Sequence, residues 1–423
     1  MEIFKSEKNK LEITSEWLKA KALEYFLPLG LVVAVALGLA WPWPGEEVGS
    51  WKVGRFRIIT TINIMVQFEI FGLGLKTEDV TSALSAYVAI AYGLISILLV
   101  TPLLGFVMVA IPFSPDEFST GLGLFCSVPT SLSGVNIIVH ARGNTTLALL
   151  LIVVSNCLGI FTVPFMFKAI MANVDVSVNV LNMFVSLLLC SLLPLVAGKA
   201  IRESIPSVKV FTAEHKKALG MVNSVNMCCI VWQVTSRSAD DILDQNAASM
   251  FAAVAAGILL HLIYLALNGV STWALQLPWD QRTATWLLAS QKSFAMAVAI
   301  LTSLDEDEVG SHGLIAIPII LGHLSQLFID SYIAARWSEL ETEEVDAIEE
   351  EDPKKSLRQS QSAGSTELAR FNSSEGDCSN HHKKDEASNL NQACATADEN
   401  PVYATFSAPS LSKVLTSKYS PSA

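Results

Sequence analysis

Long apolar blocks constrain the fold of this chain more than any other feature. Between residues 24 and 337 the sequence is a succession of apolar blocks, each about 18 to 28 residues long and therefore long enough to cross a bilayer. Only 16% of the residues are charged, and the longest charged run lies outside these blocks. Because lipid offers no hydrogen bonds to the backbone, the blocks predict transmembrane helices.

Ten spans are predicted between the turn signals, which makes the chain an all-α membrane protein. They cover residues 25–43, 56–75, 83–111, 117–139, 144–170, 178–201, 215–235, 245–270, 283–303 and 311–336. Residues 1–23 form a charged N-terminal segment, and residues 24–337 form the membrane domain. Residues 338–423 are acidic and polar, and we predict a disordered tail because they cannot bury enough apolar area.

Lysine and arginine predict the orientation of the spans. If the N-terminus is cytoplasmic, basic residues in the inside segments outnumber those in the outside loops by about three to one. Both termini are therefore expected in the cytoplasm. No nucleic-acid partner is expected, because the formal charge of −12 comes largely from the acidic tail. The chain shows no P-loop, no HExxH and no Gly-x-Ser-x-Gly, so no enzyme activity is expected.

Polar residues interrupt the fourth predicted span. The segment 129–136 reads Pro-Thr-Ser-Leu-Ser-Gly-Val-Asn, and its candidate binding residues are Thr130, Ser131, Ser133, Gly134 and Asn136. Backbone that leaves the helix at membrane depth is tolerated where it is buried in protein or lines a wet cavity. The segment predicts an ion or substrate site, and the alternative is a proline kink whose serines bond back to their own helix.

A second interruption lies about 160 residues later, in the ninth span. Its candidate residues are Ser290, Gln291, Lys292 and Ser293. A lysine in the middle of a span costs several kcal/mol unless it is paired or hydrated. We expect Lys292 either to bind an anionic group of the substrate or to place its ammonium where other proteins hold a metal cation.

Three further polar residues lie inside predicted spans. Glu69 in the second span could pair with Lys292, or it could lie at the membrane interface. Asn156 in the fifth span could face the cavity or bond a neighbouring helix. His323 in the tenth span could carry a proton or contact the substrate, or it could be a buried histidine with satisfied hydrogen bonds.

The spacing of the two interruptions predicts an inverted repeat of five plus five spans. Because five is odd, the second half must begin on the opposite side of the membrane. The motif Leu27-Pro28-Leu29 of the first span recurs in the sixth span at residues 193–195. Helices four and nine are then equivalent broken helices.

Ordered motifs resemble those of the bile acid:sodium symporter family. They are Phe71–Lys76, Val128–Asn136, Ala141–Asn144, Ser155–Phe165 and Ala289–Lys292. The motifs are most similar to those of the subgroup of plant sodium/metabolite cotransporters, which also contains the seventh member of solute carrier family 10. The resemblance implies a panel of spans one, two, six and seven that moves against a six-span core. It also implies that helices four and nine cross, and that sodium and substrate bind near the crossing. In addition, His323 aligns with a histidine in the last span of the family.

The chain departs from the sodium ligands that the resemblance implies. Sodium-coupled members of the family have an acidic ligand in the ninth span, hydroxyl ligands in the fifth span and a glutamine in the third span. In this chain the corresponding positions fall near Leu287, on Ala148 and Ile152, and near Ile97. A remaining Na⁺ position is expected near Ser133, Asn136 and Gln291. Since a fixed ammonium repels a sodium ion at low dielectric, we hypothesise that Lys292 replaces one sodium ion, so that coupling is weakened, lost or switched to protons.

The sequence therefore predicts a secondary transporter that moves a small organic anion or a sterol-like metabolite by alternating access. No cofactor is expected apart from coupled Na⁺ or H⁺, and the expected partners are the substrate and the lipid bilayer. A plasma-membrane or endomembrane location is favoured because no transit peptide is found, with the plastid envelope as the alternative. The alternative function is a membrane regulator that does not transport, for example of calcium handling, and that binds partners.

Overall fold

The computed structural model describes residues 26–54, 56–77, 83–174 and 178–351. The predicted N-terminal segment 1–23 and tail residues 352–423 lie outside this part of the chain. The described part is almost entirely helical, with a small hairpin of β1 (Lys52–Val53) and β2 (Phe56–Arg57). This agrees with the all-α prediction.

The helices follow the predicted spans, and some spans consist of more than one helix. They are α1 (Phe26–Ala40), α2 (Pro42–Ser50), α3 (Ile58–Gly74), α4 (Leu84–Val109), α5 (Glu117–Ser127), α6 (Gly134–His140), α7 (Thr145–Ile170), α8 (Val180–Ser204), α9 (Pro206–Glu214), α10 (Lys216–Arg237), α11 (Ala239–Leu243), α12 (Ala247–Ala274), α13 (Trp279–Ser290), α14 (Phe294–Leu301), α15 (Glu306–Val309) and α16 (His312–Glu351). Helices α4 and α8 each contain one π-helical turn, at Ser96–Val100 and Leu188–Leu192.

Seven helical segments of the described residues are long and apolar enough to cross a membrane: α4, α7, α8, α10, α12, the pair α13–α14 and α16 up to Ser338. An eighth is obtained if α1 and α2, which meet at an angle of 96°, count as one span. Helix α3 is apolar but shorter, with 17 residues. Helices α5 and α6 are shorter still, with 11 and 7 residues, because the predicted fourth span is interrupted.

The helices pack in two sets. The first helix set contains α1, α2, α3, α8 and α10, with α10 packed along α1, α2 and α3, and α8 packed along α3. Helices α3 and α8 approach so closely that a Cβ atom at Gly72 would lie 2.2 Å from the Leu195 carbonyl oxygen. The second helix set contains α4 to α7 and α12 to α14, with α13 packed between α4, α7 and α12. Helix α16 joins this second set through the hydrogen bonds described below.

The last helix differs from the prediction. Helix α16 continues to Glu351, beyond the predicted end of the tenth span at residue 336. The sequence 339–351 consists mostly of Glu, Ala, Leu and other residues that are compatible with a helix, which explains this extension. The chain divides into two compact units at this point, Met1–Ser338 and Glu339–Ala423.

Charged residues join the two helix sets at the end of the molecule where α10 ends and α16 begins. Arg57 of β2 donates to Glu306 of α15 at 3.3 Å, and His312 Nδ1 lies 3.1 Å from the same carboxylate. Ser311 donates to Asp241 of α11 at 2.6 Å. Burial lowers the pKa of Arg57, and the nearby Glu306 partly offsets that effect. These contacts hold the two sets together at this face.

Candidate functional site

The two predicted interruptions are breaks in the helices, and the breaks contact each other. The first break separates α5 from α6 at residues 128–133, and the second separates α13 from α14 at residues 291–293. The Ser293 amide donates to the Pro129 carbonyl at 2.8 Å.

Local chemistry explains both breaks. Val128 is extended, with ψ 154°, as a residue before proline prefers, and Pro129 has no N–H to continue the helix. At the second break, the Ser293 hydroxyl accepts from the Met296 amide at 3.3 Å and caps the start of α14. The sequence therefore ends and restarts both helices at the same depth.

A glycine allows the two broken helices to approach. A Cβ atom at Gly134 would lie 2.5 Å from Leu288 Cδ2 and 2.6 Å from Gln291 Oε1, closer than real Cβ contacts. Gly134 opens helix α6, so the missing side chain leaves room for the ends of the Leu288 and Gln291 side chains at the second break.

The Lys292 ammonium is fully buried inside the second helix set. It donates to Thr101 Oγ1 at 3.0 Å, to the Val128 carbonyl at 3.0 Å and to the Ile97 carbonyl at 3.4 Å. The ring of Tyr264 lies 5.5 Å from Nζ, which is within cation–π distance. Among the described residues, no carboxylate pairs with Lys292. The sequence-based pairing with Glu69 is not formed, and Glu69 is only half buried on α3.

Irregular backbone supplies the oxygen atoms around this ammonium. Ile97 lies in the π-helical turn of α4, where carbonyls are displaced from the regular helical bonds. Val128 directly follows the last residue of α5, where the helix dipole is negative and favours a cation. The positive charge is therefore surrounded by two carbonyls, a hydroxyl and an aromatic face and is not paired with a carboxylate.

A buried carboxylate that the sequence analysis did not single out ties three helices together. Asp330 of α16 accepts from His261 Nε2 at 2.8 Å and from Gln291 Nε2 at 2.7 Å. His261 Nδ1 lies 3.1 Å from the Ser290 carbonyl, and Ser290 Oγ accepts from Asn268 at 3.1 Å. The sequence signal that could have identified this site is the aspartate inside the tenth predicted span, since charged residues within membrane spans are rarely without function.

Helix α16 also holds the backbone of the second break. The Lys292 amide donates to Gln326 Oε1 at 3.0 Å, and Gln326 Nε2 donates to the Lys292 carbonyl at 2.7 Å. His323 is buried with Nδ1 2.9 Å from Gln326 Nε2, and its ring stacks on Phe294 at 5.5 Å. His323 therefore contacts the residue that orients the break, while its Nε2 has no hydrogen-bond partner among the described residues.

Three buried oxygen atoms beside the breaks have no hydrogen-bond partner among the described residues: Thr130 Oγ1, Asn156 Oδ1 and Gln291 Oε1. Asn156 of α7 donates to the Thr130 carbonyl at 3.2 Å, so its amide is attached to the first break. These atoms are of the type that hard cations prefer. Asn136, in contrast, is exposed and lies apart from this buried group.

A narrow crevice lies between the two helix sets at the breaks. Its volume is about 10 Å³, which is room for about one water molecule. The second set contributes Ser131, Leu132, Ser133, Ser293 and Ala295. The first set contributes Leu27, Gln67, Asn223, Ser224 and Met227, none of which is among the candidate site residues of the sequence analysis. Ser131 and Ser133 share a hydrogen bond of 2.7 Å.

Comparison with known proteins places these features in a family. The profile of the SBF-like CPA transporter family matches residues 25–339. Arabidopsis thaliana has a relative named probable sodium/metabolite cotransporter BASS4, chloroplastic, which is 37% identical over 75% of this chain and 73% of its own length. A protein of the same name from Oryza sativa subsp. indica is 35% identical over 74% of this chain and 75% of its own length.

A bacterial protein shows how far the similarity extends. An uncharacterised protein of Pseudomonas aeruginosa is 23% identical over 77% of this chain and 97% of its own length. The matched region is the membrane domain, so the resemblance to the bile acid:sodium symporter family is confirmed. With several apolar helices and this match, the chain is an integral, multi-pass membrane protein that belongs to the SBF-like CPA transporter family.

Proposed function

We propose that the chain is a secondary transporter that moves a small metabolite by alternating access. The observation that carries this proposal is the contact between two broken helices beside a crevice at the boundary of two helix sets. Broken helices near the middle of the membrane are how many secondary transporters build their binding sites.

The architecture that we propose has ten spans in an inverted repeat of five plus five. The seven long segments are joined by the bent pair α1–α2, by α3 and by the interrupted pair α5–α6. In this arrangement the first helix set corresponds to the panel and the second to the core that the family resemblance implies. The fourth and ninth spans are then the two broken helices, at equivalent places in the two halves.

The size of the crevice supports movement of the two sets. A space of about 10 Å³ cannot hold a metabolite, so a substrate can bind only when the sets separate. The ion pair of Arg57 with Glu306 and the bond of Ser311 to Asp241 join the sets at one face. We infer that these contacts break when that face opens.

Lys292 is proposed to act as a tethered cation. Its ammonium is satisfied by protein oxygens within the second helix set, which does not support a contact with an anionic substrate. The oxygens of Thr130, Asn156 and Gln291 that lack partners fit one further cation such as Na⁺. The exposed position of Asn136 does not support its part in the Na⁺ position expected near Ser133, Asn136 and Gln291. The transporter would then couple to at most one sodium ion.

The names of the relatives and the charge distribution bear on the substrate and the membrane. The names of the plant relatives support a metabolite as substrate, and we retain a small organic anion or a sterol-like amphiphile as the two classes. The distribution of lysine and arginine supports both termini in the cytoplasm. We retain the plasma membrane or an endomembrane as the predicted location, and the names of the plant relatives support the alternative, the plastid envelope.

Labelling of the crevice from both sides of the membrane tests alternating access without knowledge of the substrate. In a background without native cysteines, Ser133→Cys should react with a membrane-impermeant maleimide added to either side of sealed vesicles. The matched control His140→Cys, exposed at the last position of α6, should react from one side only. Reaction of Ser133→Cys from one side alone would refute a transporter and favour a regulator that acts through its tail.

A further inference from the structure

We propose that Gln67 of α3 and Asn223 of α10 form a subsite that accepts a hydrogen bond from a hydroxyl group of the substrate. The inference rests on the proposed transport function and specifies its substrate class. It concerns the side of the crevice that lies opposite the two breaks. Both residues line that crevice on the first helix set.

Both amides have an oxygen atom without a partner. Gln67 is 2% exposed, and neither Gln67 Oε1 nor Asn223 Oδ1 has a hydrogen-bond partner among the described residues. A buried amide oxygen without a partner is costly, so natural structures rarely keep one without a reason. Two of them on one wall of a crevice indicate a ligand that donates hydrogen bonds.

The neighbouring backbone fixes the orientation of the Gln67 amide. Gln67 Nε2 donates to the Asn223 carbonyl at 3.5 Å, and a carbonyl can only accept. The flipped amide would place two oxygens against each other, so Oε1 is the free end. On this wall of the crevice, Gln67 therefore presents an acceptor.

The opposite wall presents donors. The Ser293 hydroxyl accepts from the Met296 amide, so its own hydrogen remains free. Of the two hydroxyl hydrogens on Ser131 and Ser133, only one is used in the bond between them. Such donors fit a carboxylate, carbonyl or hydroxyl oxygen of the substrate. None of the ten lining residues is basic, and the Lys292 ammonium is bound elsewhere.

The acceptor groups of the first helix set and the donor groups of the second together select a molecule that carries both an oxygen acceptor and a hydroxyl group. The apolar side chains of Leu27, Leu132 and Met227 lie between and beside these polar groups. A hydroxylated carboxylic acid has this chemistry, whereas the same acid without its hydroxyl leaves the Gln67 and Asn223 oxygens unpaired. The subsite therefore discriminates between the two acids.

The first test uses the unliganded full chain purified in detergent. If Gln67 is kept for a ligand, Gln67→Leu should leave the melting temperature Tm unchanged or raise it, because the unpaired oxygen is removed. The matched control is Gln233→Leu, since Gln233 is 1% exposed and its Oε1 accepts from Thr60 at 2.9 Å. That control should lower Tm. An equal fall of Tm in both variants would show that Gln67 is structural and would overturn the proposal.

The second test uses two pairs of acids that differ in hydroxyl groups, lactate with propionate and cholate with 5β-cholanate, below micellar concentrations. In the wild-type protein, the hydroxylated member of at least one pair should raise Tm at roughly 2- to 10-fold lower concentration. Gln67→Leu should reduce that ratio to about one. If the two acids of each active pair raise the Tm of the wild type at equal concentrations, the proposed subsite is overturned. If no acid raises Tm, the result counts against the proposed transport of these acids, and the unliganded comparison still decides the role of Gln67.

Discussion

Replacement of Lys292 by methionine tests whether its ammonium stands in for a metal ion. Lys292→Met keeps the apolar stem of the side chain as far as Cε but removes Nζ, and with it the positive charge and all three donors. The Val128 carbonyl then loses its bond of 3.0 Å, whereas the Ile97 carbonyl still accepts from Thr101 at 3.3 Å. The variant leaves a cation-sized position lined by oxygen atoms.

The free energy of unfolding that the substitution removes is comparable to the free energy that sodium binding restores. Leaving the Val128 carbonyl without a partner costs about 1–3 kcal/mol in the free energy of unfolding. A sodium ion that fills the position at 100 times its dissociation constant returns about 2.7 kcal/mol. We therefore expect Lys292→Met to be destabilised in potassium and to recover most of that loss in sodium.

The assay is thermal unfolding in detergent, with sodium exchanged for potassium at constant ionic strength. The difference in Tm between the two salts should be larger for Lys292→Met than for the wild type by the equivalent of one ion. The matched control is Lys199→Met, because the Lys199 ammonium also contacts a carbonyl (Leu75, 2.9 Å) and a hydroxyl (Thr77, 2.7 Å) but is paired with Glu203 at the end of its helix. This control should gain no sodium response. A folded Lys292→Met protein with the sodium response of the wild type would refute the reasoning.

Two further predictions concern helix packing. Gly72→Ala should lower stability by about 1–3 kcal/mol because its Cβ atom would lie 2.2 Å from the Leu195 carbonyl oxygen, whereas Gly220→Ala, which has nothing within 4 Å, should stabilise by about 1 kcal/mol. Thermal unfolding of both variants checks this, and equal effects would contradict the close approach of α3 and α8. Asp330→Leu should lower the free energy of unfolding by about 3–5 kcal/mol, because it leaves the buried His261 without its partner. The double variant with His261→Leu should lose less stability than the sum of the two single variants. A double-mutant cycle by thermal unfolding measures that coupling, and strict additivity would show that the contact contributes nothing.

Much of the fold was predictable because membrane helices follow local composition. An apolar block of about 20 residues must form a helix in lipid whatever it packs against, which is why most predicted spans match observed helices. The breaks were predictable for the same local reason, since Pro129 removes a donor and Ser293 caps the restarted helix. The helical continuation to Glu351 was missed because acidic composition was taken as a signal of disorder.

The sequence by itself determined the spans, the two breaks and the cluster of polar residues at the breaks. Only the tertiary structure decided where each side chain points. It directs the Lys292 ammonium into a cage of oxygens from α4 and α5, exposes Asn136 and brings Asp330 to Gln291. The physical reason is that burial and pairing in a helical bundle depend on the rotation and close approach of helices far apart in sequence. Those are set by contacts such as that of Gly72 with the backbone of α8, which no local pattern records.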